Sequence, residues 1–312
     1  MTLPGFNLAM RLGAGALRVW MITGILLRVT RLRDRWDPFA LVFYTTPWPV
    51  IAAGFVLLGL HSYRLGKRHA VVRYCVLTCA ALFTWAAMSW YDAKPSASAT
   101  PPLRVVLWNV ARPEWRLPKQ VSWLRRQDAD IISLAEAETK ETATSDRWHQ
   151  LFPEYVACSS RGNLVCLIRG ELLEHKSGRL APSSHFARLR VRTRGRELTI
   201  LQVDLWAHEL ASRRPPLTRL AELVAETKGP LLVLGDFNTP RESAHLDPLR
   251  GKLTNAFEQS GRGIAETWPL FAPALSLDQI WSSSALRPVS CRAGWIPLSD
   301  HRPVVAEFEF GQ

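Results

Sequence analysis

Residues 39–60 form a run of 22 residues without a single charged side chain. No other feature restricts the fold as strongly, because crossing hydrocarbon takes about 20 apolar residues. A second run, residues 74–90, adds 17 uncharged residues and reaches back to Ala70 if the long stem of Arg73 carries its charge to the interface. Trp36, Trp48, Trp85, Trp90 and Tyr91 include several placed where an aromatic belt falls. A third segment, residues 13–27, is short and carries Arg18, which suits a helix lying in the interface better than one crossing it. Buried helices of a soluble fold are the alternative, and the arginine clusters flanking the runs weigh against it. A cleaved signal peptide fits poorly, because the runs start late and two follow in series. Residues 1–94 therefore read as a membrane anchor with two transmembrane helices, or three if residues 13–27 also cross, which makes the chain a multi-pass membrane protein.

The charge distribution agrees. Of a net charge of +12, residues 1–102 supply +8, from 11 Lys/Arg against Asp34, Asp37 and Asp92. Such a surplus suits anionic partners: phosphate esters, nucleic acid or acidic lipid headgroups. Arg28, Arg31, Arg33 and Arg35 before the first run nearly balance Arg64, Lys67 and Arg68 between the two, so the positive-inside rule assigns no side to the rest of the chain. Five cysteines, odd and sparse, argue against a disulfide scaffold. None has zinc-site spacing, and Cys75 and Cys79 sit in an apolar run.

Residues 95–102, with three prolines among Ser, Ala and Thr, read as a linker. From residue 103 to 312 the pattern is that of one α/β domain. Buried strands are expected at residues 103–108, 131–134, 155–158, 164–168, 231–234, 280–282, 289–292 and 304–310, and helical spacing at 121–126 and 217–226. Residues 186–192 and 197–205 alternate and are joined by a Gly-containing turn, a hairpin signal. Strands outnumber helices, and hairpins mix with strand–helix units, which suggests two packed mixed sheets with helices outside.

Four islands place polar residues directly after apolar strands, where a rigid sheet commonly presents catalytic groups. Asn109 ends the first strand and reads equally well as a backbone-capping residue. Glu136 follows Asp130-Ile131-Ile132-Ser133-Leu134-Ala135 and suits a hard oxygen ligand for Mg²⁺, or an ordinary solvated acid. In Gly235-Asp236-Phe237-Asn238-Thr239-Pro240, Asp236 and Asn238 pair an acid with an amide, as water activation and oxyanion stabilisation require. In Ser299-Asp300-His301-Arg302-Pro303, an acid adjoins the one side chain that titrates near neutrality. Asp278 either orients His301 or caps a strand.

Together, G-D-F-N-T-P followed about sixty residues later by S-D-H-R-P, with D-I-I-S-L-x-E before them, resembles the endonuclease/exonuclease/phosphatase superfamily, the DNase I-like fold. The resemblance implies a four-layer α/β sandwich of two mixed β-sheets flanked by helices, and hydrolysis of phosphoester bonds with Mg²⁺ or Mn²⁺. It implies that Glu136 and Asp300 serve the metal, that Asn109 lies near metal and phosphate, that Asp236 and Asn238 position water and transition state, and that Asp278 orients His301. There are departures. Many members carry His or Tyr where Asp204 stands here, and an acid repels phosphate unless it is protonated or metal-bound. His208 is a candidate substitute or a plain surface histidine. Ala135 replaces a common Gln, and Ala111 replaces an acid found in some members.

Arg188, Arg190 and Arg192 alternate along one strand, either as a solvated face or as a landing surface for anionic lipid or nucleic acid. Trp206, Trp268 and Trp281 are expected in the core. The expected function is a membrane-anchored, metal-dependent phosphoesterase acting on nucleic acid, a phospholipid headgroup or a small phosphate ester. The alternative is a non-catalytic tethered module that binds anionic lipid or nucleic acid.

Overall fold

The long apolar run of residues 39–60 is not one helix. In a computed structural model, which describes residues 4–30, 32–94, 101–112, 116–137, 145–208 and 210–311, it breaks at Thr46 and Pro47. Helix α1 spans Pro4–Val29, α2 Asp37–Thr45, α3 Trp48–Arg64 and α4 Arg68–Ser89. The axes of α2 and α3 differ by 71°. Pro47 explains the break: it offers no amide hydrogen, and its ring drives Thr46 out of the helical region, where Thr46 sits at ψ 48°. The 22-residue run is thus a bent pair of helices instead of one straight helix.

Residues 13–27 are part of a longer helix, α1. Among the described residues, Ala9–Val29 and Arg68–Ser89 are the two unbroken helices long and apolar enough to cross a membrane. Arg18 is accommodated because its Nε donates to the Tyr74 hydroxyl at 2.9 Å. Ala14, Met21, Ile51, Ala52, Phe55, Leu58, Tyr74 and Ala81 pack together between these helices.

The chain divides into two units: Met1–Ser89 with Glu242–Ala244, and Trp90–Arg241 with His245–Gln312. The expected linker falls largely on residues 95–100, which lie outside the described residues, as does Arg31. The second unit begins with strand β1 (Trp90–Asp92), followed by β2 (Leu103–Asn109), β3 (Ile131–Ala135), β4 (Val156–Ser160), β5 (Leu164–Ile168), β6 (Glu171–Ala181), β7 (Ser184–Thr193) and β8 (Arg196–Asp204). The remaining strands are β9 (Leu231–Asp236), β10 (Thr254–Asn255), β11 (Gly261–Ile264), β12 (Asp278–Ser282), β13 (Leu286–Ala293) and β14 (Val304–Phe310). Helices α5 (Leu117–Arg126), α6 (Ser145–Leu151), α7 (Arg214–Glu226), α8 (Asp247–Arg250) and α9 (Ala256–Ser260) lie between them.

The strands form two mixed sheets. One has eight strands in the order β1-β11-β13-β14-β2-β3-β5-β4, the other six in the order β10-β12-β9-β8-β7-β6. Alternation along each strand separates two faces. Leu103, Val105 and Leu107 of β2 meet Ile200 of β8, Leu232 and Leu234 of β9, and Ile280 of β12 in the space between the sheets. Val106 and Trp108 point the other way and pack on Val121 and Leu124 of α5 and Trp148 of α6. Leu231 and Val233 likewise face Leu217, Leu220 and Val224 of α7. Helix, sheet, sheet, helix is the expected four-layer sandwich.

Gln202, on the inner face of β8, crosses the gap and donates from Nε2 to the carbonyls of Leu134 and Val165 on the opposite sheet, both at 3.0 Å. Of the three tryptophans expected in the core, only Trp281 is fully buried; Trp206 is 44% exposed.

Candidate active site

The inner face of each central strand carries the core up to the strand's end and then turns polar. Asn109 continues the row of Leu103, Val105 and Leu107; Asp236 continues Leu232 and Leu234; Asp278 precedes Ile280 in the same alternation. Parity that buries the leucines therefore also aims these three groups into one space at the edge of the sandwich.

On the six-stranded sheet the register lines up four titratable residues. His185 of β7 pairs with Asp204 of β8, Asp204 with Asp236 of β9, and Asp236 with Asp278 of β12. Three aspartates in one cross-strand row repel one another. Burial, and then Asp236, Glu136 and Asp278, push the Asp204 carboxyl well above the usual range. Burial and Asp278 raise Asp236 to about 6, against the opposing pull of His301, Asn109 and the Asn238 amide.

His301 meets this row from the loop between β13 and β14. Its Nδ1 is 2.8 Å from Asp278 Oδ2 and its Nε2 is 4.0 Å from Asp236 Oδ2. Burial alone would depress its pKa, but Asp278, Asp236 and Asp300 outweigh burial and raise it to about 10. The ring is thus an imidazolium held between two carboxylates. Trp108 Nε1 donates to the His301 carbonyl at 3.0 Å and fixes the backbone there.

Asn109 joins the two sheets. Its Nδ2 donates to Asp236 Oδ2 at 2.9 Å and to Glu136 Oε1 at 3.2 Å, while its Oδ1 accepts from the Ala111 amide at 3.0 Å. Asn238 donates its backbone amide to Asp236 Oδ1 at 2.8 Å and its Nδ2 to the Leu205 carbonyl at 2.7 Å. The site also concentrates backbone cost. Ala111, Arg112, Glu136 and Asn238 all have φ between +43° and +52°, a region non-glycine residues avoid. Gly235 is required where it stands: at φ +148° its absent Cβ would lie 1.9 Å from the Val203 carbonyl oxygen.

Asn109, Glu136, Asp236, Asn238, Asp278 and His301 are thereby brought together. Asp300 is exposed, accepts from Trp268 Nε1 at 3.2 Å and adds to the charge acting on His301. Among the described residues, Asp236, Asp278 and His301 are the one group of three close enough to share an ion. The three are paired with one another, His301 Nδ1 with Asp278 and Nε2 facing Asp236. Glu136, one-third exposed and paired with Arg112 at 3.4 Å, presents the accessible hard oxygen.

Sequence reasoning missed several supporting residues. Ser299 Oγ donates to the Asn109 carbonyl at 2.7 Å and accepts the His301 amide at 3.1 Å. Thr267 Oγ1 accepts the amides of Leu277 and Asp278, both at 3.1 Å. Arg302, 1% exposed, donates to the carbonyls of Ile264, Glu266, Ala293 and Gly294 and ties the β11–β12 and β13–β14 loops together. Ser299 and Arg302 flank Asp300-His301 in the motif, which was the available signal. Thr267 had none.

Solved structures resemble about two thirds of the chain. Human Nocturnin's catalytic domain with bound sulfate is 21% identical, covering 70% of this chain and 97% of that chain at a TM-score of 0.53. A mannosyl-6-phosphatase of Bacteroides thetaiotaomicron VPI-5482 is 16% identical, covering 67% and 100%, at 0.57. TDP2 of D. rerio, humanized by 14 mutations, gives the same identity, coverage and score. Comparison with curated proteins finds no match. The profile of the endonuclease/exonuclease/phosphatase family matches residues 106–301, which span Asn109 to His301 and more than half of the sequence, and the chain belongs to that family.

Proposed function

We propose that this protein is a membrane-anchored phosphoesterase that hydrolyses phosphodiester or phosphomonoester bonds with the help of Mg²⁺ or Mn²⁺. The observation that carries the reading is the connected set Asp278–His301–Asp236–Asn109–Glu136, buried at its centre and open at Glu136. The two helices long and apolar enough to cross a membrane support the anchoring.

The division of labour follows from which atoms are already engaged. Asp236 is the group to position a water molecule and accept its proton, and it does so only when ionised. Asn238 has given one N–H to Leu205, so one N–H is left for a phosphoryl oxygen. Asn109 uses both of its N–H groups on Asp236 and Glu136, so it fixes the two carboxylates instead of touching phosphate. His301 holds its proton on Nε2 toward the substrate while Asp278 grips Nδ1, an orientation that suits charge stabilisation on phosphate. Glu136, with Asp300 at the rim, would hold the divalent ion through oxygen donors. When bound, the ion would neutralise charge on the phosphoryl oxygens and ease departure of the leaving oxygen.

Full-length protein in detergent, assayed on bis(4-nitrophenyl) phosphate and 4-nitrophenyl phosphate with and without Mg²⁺, tests this. Glu136→Gln should lower turnover by on the order of 10²–10⁴, as loss of a charge-stabilising centre does, and weaken the metal requirement while circular dichroism stays unchanged. Unaltered turnover and metal dependence in that variant would refute it. Asp204, an acid beside Asp236, is the one feature favouring the alternative of a binding module without turnover. Hydrolysis that depends on Glu136 excludes that alternative.

A further inference from the structure

Six large apolar side chains are exposed among the described residues of the second unit: Trp90, Val156, Trp206, Leu210, Phe271 and Trp295. Scattered singly they would need no explanation. Four of them stand on the three loops that carry or adjoin the active-site residues. Trp206 and Leu210, 44% and 73% exposed, follow Asp204 at the end of β8. Phe271, 84% exposed, lies in the loop that leads to Asp278. Trp295, 54% exposed, lies in the loop that carries Asp300 and His301.

These loops are fastened to the site and to each other. Arg213 Nε donates to the Asn238 carbonyl at 3.0 Å and its Nη1 to the His208 carbonyl at 3.1 Å, which holds His208 against the Asp236 strand end. The Leu270 amide donates to the Asp300 carbonyl at 2.7 Å, next to Phe271. Trp295 lies over the Arg302 guanidinium at 4.1 Å. An apolar rim on anchored loops is not a packing leftover; water is a poor solvent for it, and tryptophan and phenylalanine are the side chains that favour a membrane interface. Chain continuity points the same way. Trp90 follows the candidate span Arg68–Ser89 directly and pairs with Ile264, the last residue before the loop that carries Phe271.

We propose that this rim seats on a phospholipid surface and that the bond cleaved is the phosphodiester of a lipid, an inference that rests on the phosphoesterase reading above. Water oxygen bonds to phosphorus as the ester P–O bond to the headgroup breaks. One water proton ends on the departing alcohol oxygen and the other on the new phosphate hydroxyl.

The test uses full-length protein in dodecyl maltoside mixed micelles containing dioleoyl phosphatidylglycerol, phosphatidylethanolamine or phosphatidylcholine, with bis(4-nitrophenyl) phosphate as the soluble substrate. At least one lipid should be hydrolysed. The double variant Leu210→Ser with Phe271→Ser should raise KM in surface concentration about tenfold, a loss of ~1.4 kcal/mol, with kcat and the soluble reaction within about twofold of wild type. Phe271→Trp, which keeps the apolar contact, should retain wild-type KM. Cleavage of the soluble substrate with none of the lipids cleaved overturns the proposal and leaves the phosphoesterase reading standing. So does a double variant that leaves lipid kinetics unchanged, or slows both substrates equally. Hydrolysis of neither class overturns both.

Discussion

Replacing Asp278 by Asn removes a charge from one side of a buried imidazole and leaves its shape. His301 is 7% exposed, with Asp278 2.8 Å from Nδ1 and Asp236 4.0 Å from Nε2. Burial lowers its pKa, yet the carboxylates carry it from 6.5 to about 10. That difference is worth roughly 5 kcal/mol between charged and neutral ring. Asp278 is the leading source, through charge and hydrogen bond together; without it Asp236 and Asp300 alone oppose burial, so the ring in the variant should lose its proton well below pH 10. The wild-type profile of kcat/KM against pH should be a bell, rising near pH 6 as Asp236 ionises and falling near pH 10 as His301 loses its proton. In Asp278→Asn the alkaline limb moves well below pH 10. The loss is then small on the acid side and grows by about tenfold for each pH unit above the shifted limb. Stability follows the same sign. A pKa raised on folding stabilises fully below the unfolded value near 6.5 and loses that contribution as pH rises through about 10. The Tm deficit of the variant should therefore be greatest at pH 6 and close toward pH 10. A variant that is uniformly slow, with its alkaline limb where the wild type has it, would refute the assignment of His301 as the cation.

Three other outcomes are expected. Asp204→His removes a carboxyl that burial and its acidic neighbours push well above the usual range, so it should raise stability at pH 7 by about 0.5–1 kcal/mol and speed hydrolysis of bis(4-nitrophenyl) phosphate. An unchanged Tm together with unchanged turnover sinks that argument. Gly235→Ala should cost about 3 kcal/mol, roughly 6–12 °C in Tm by calorimetry, because the new methyl meets the Val203 carbonyl at a φ of +148°; a Tm within 2 °C of wild type would contradict the geometry. Full-length protein should stay in the pellet when membranes are washed with alkaline carbonate; recovery of the chain in the supernatant argues against spanning helices.

What the sequence made legible was whatever alternation and motif spacing encode. Residues 164–168 and 304–310 match β5 and β14 end to end, since short apolar runs flanked by polar residues have one reading in a sandwich. Strand β6 escaped notice because Glu171–Ala181 is an edge strand whose residues are mostly exposed, and solvent erases the apolar signal that period-2 patterning needs. Strand β1 was hidden for a similar reason: Trp90 and Tyr91 read as the end of an apolar helix. The break at Pro47 is encoded by the missing amide hydrogen of proline, which a count of apolar residues does not register. In the site, residue identity was readable but adjacency was not. Nothing in the chain announces that Asp204, Asp236 and Asp278, each dozens of positions from the next, share one register.

That shared register separates what can change from what cannot. His185, Asp204, Asp236 and Asp278 are joined to one another through main-chain ladders, and those ladders are indifferent to the side chains they carry. Substituting one member therefore alters the field at the cleft without shifting the other three. The row behaves as a set of interchangeable slots on a fixed rail. A slot can be rewritten, as Asp204→His would do, without moving the main-chain ladder that carries it. Two proteins that superimpose strand for strand can then prefer substrates of opposite charge, and the inheritance of shape will conceal the divergence of chemistry.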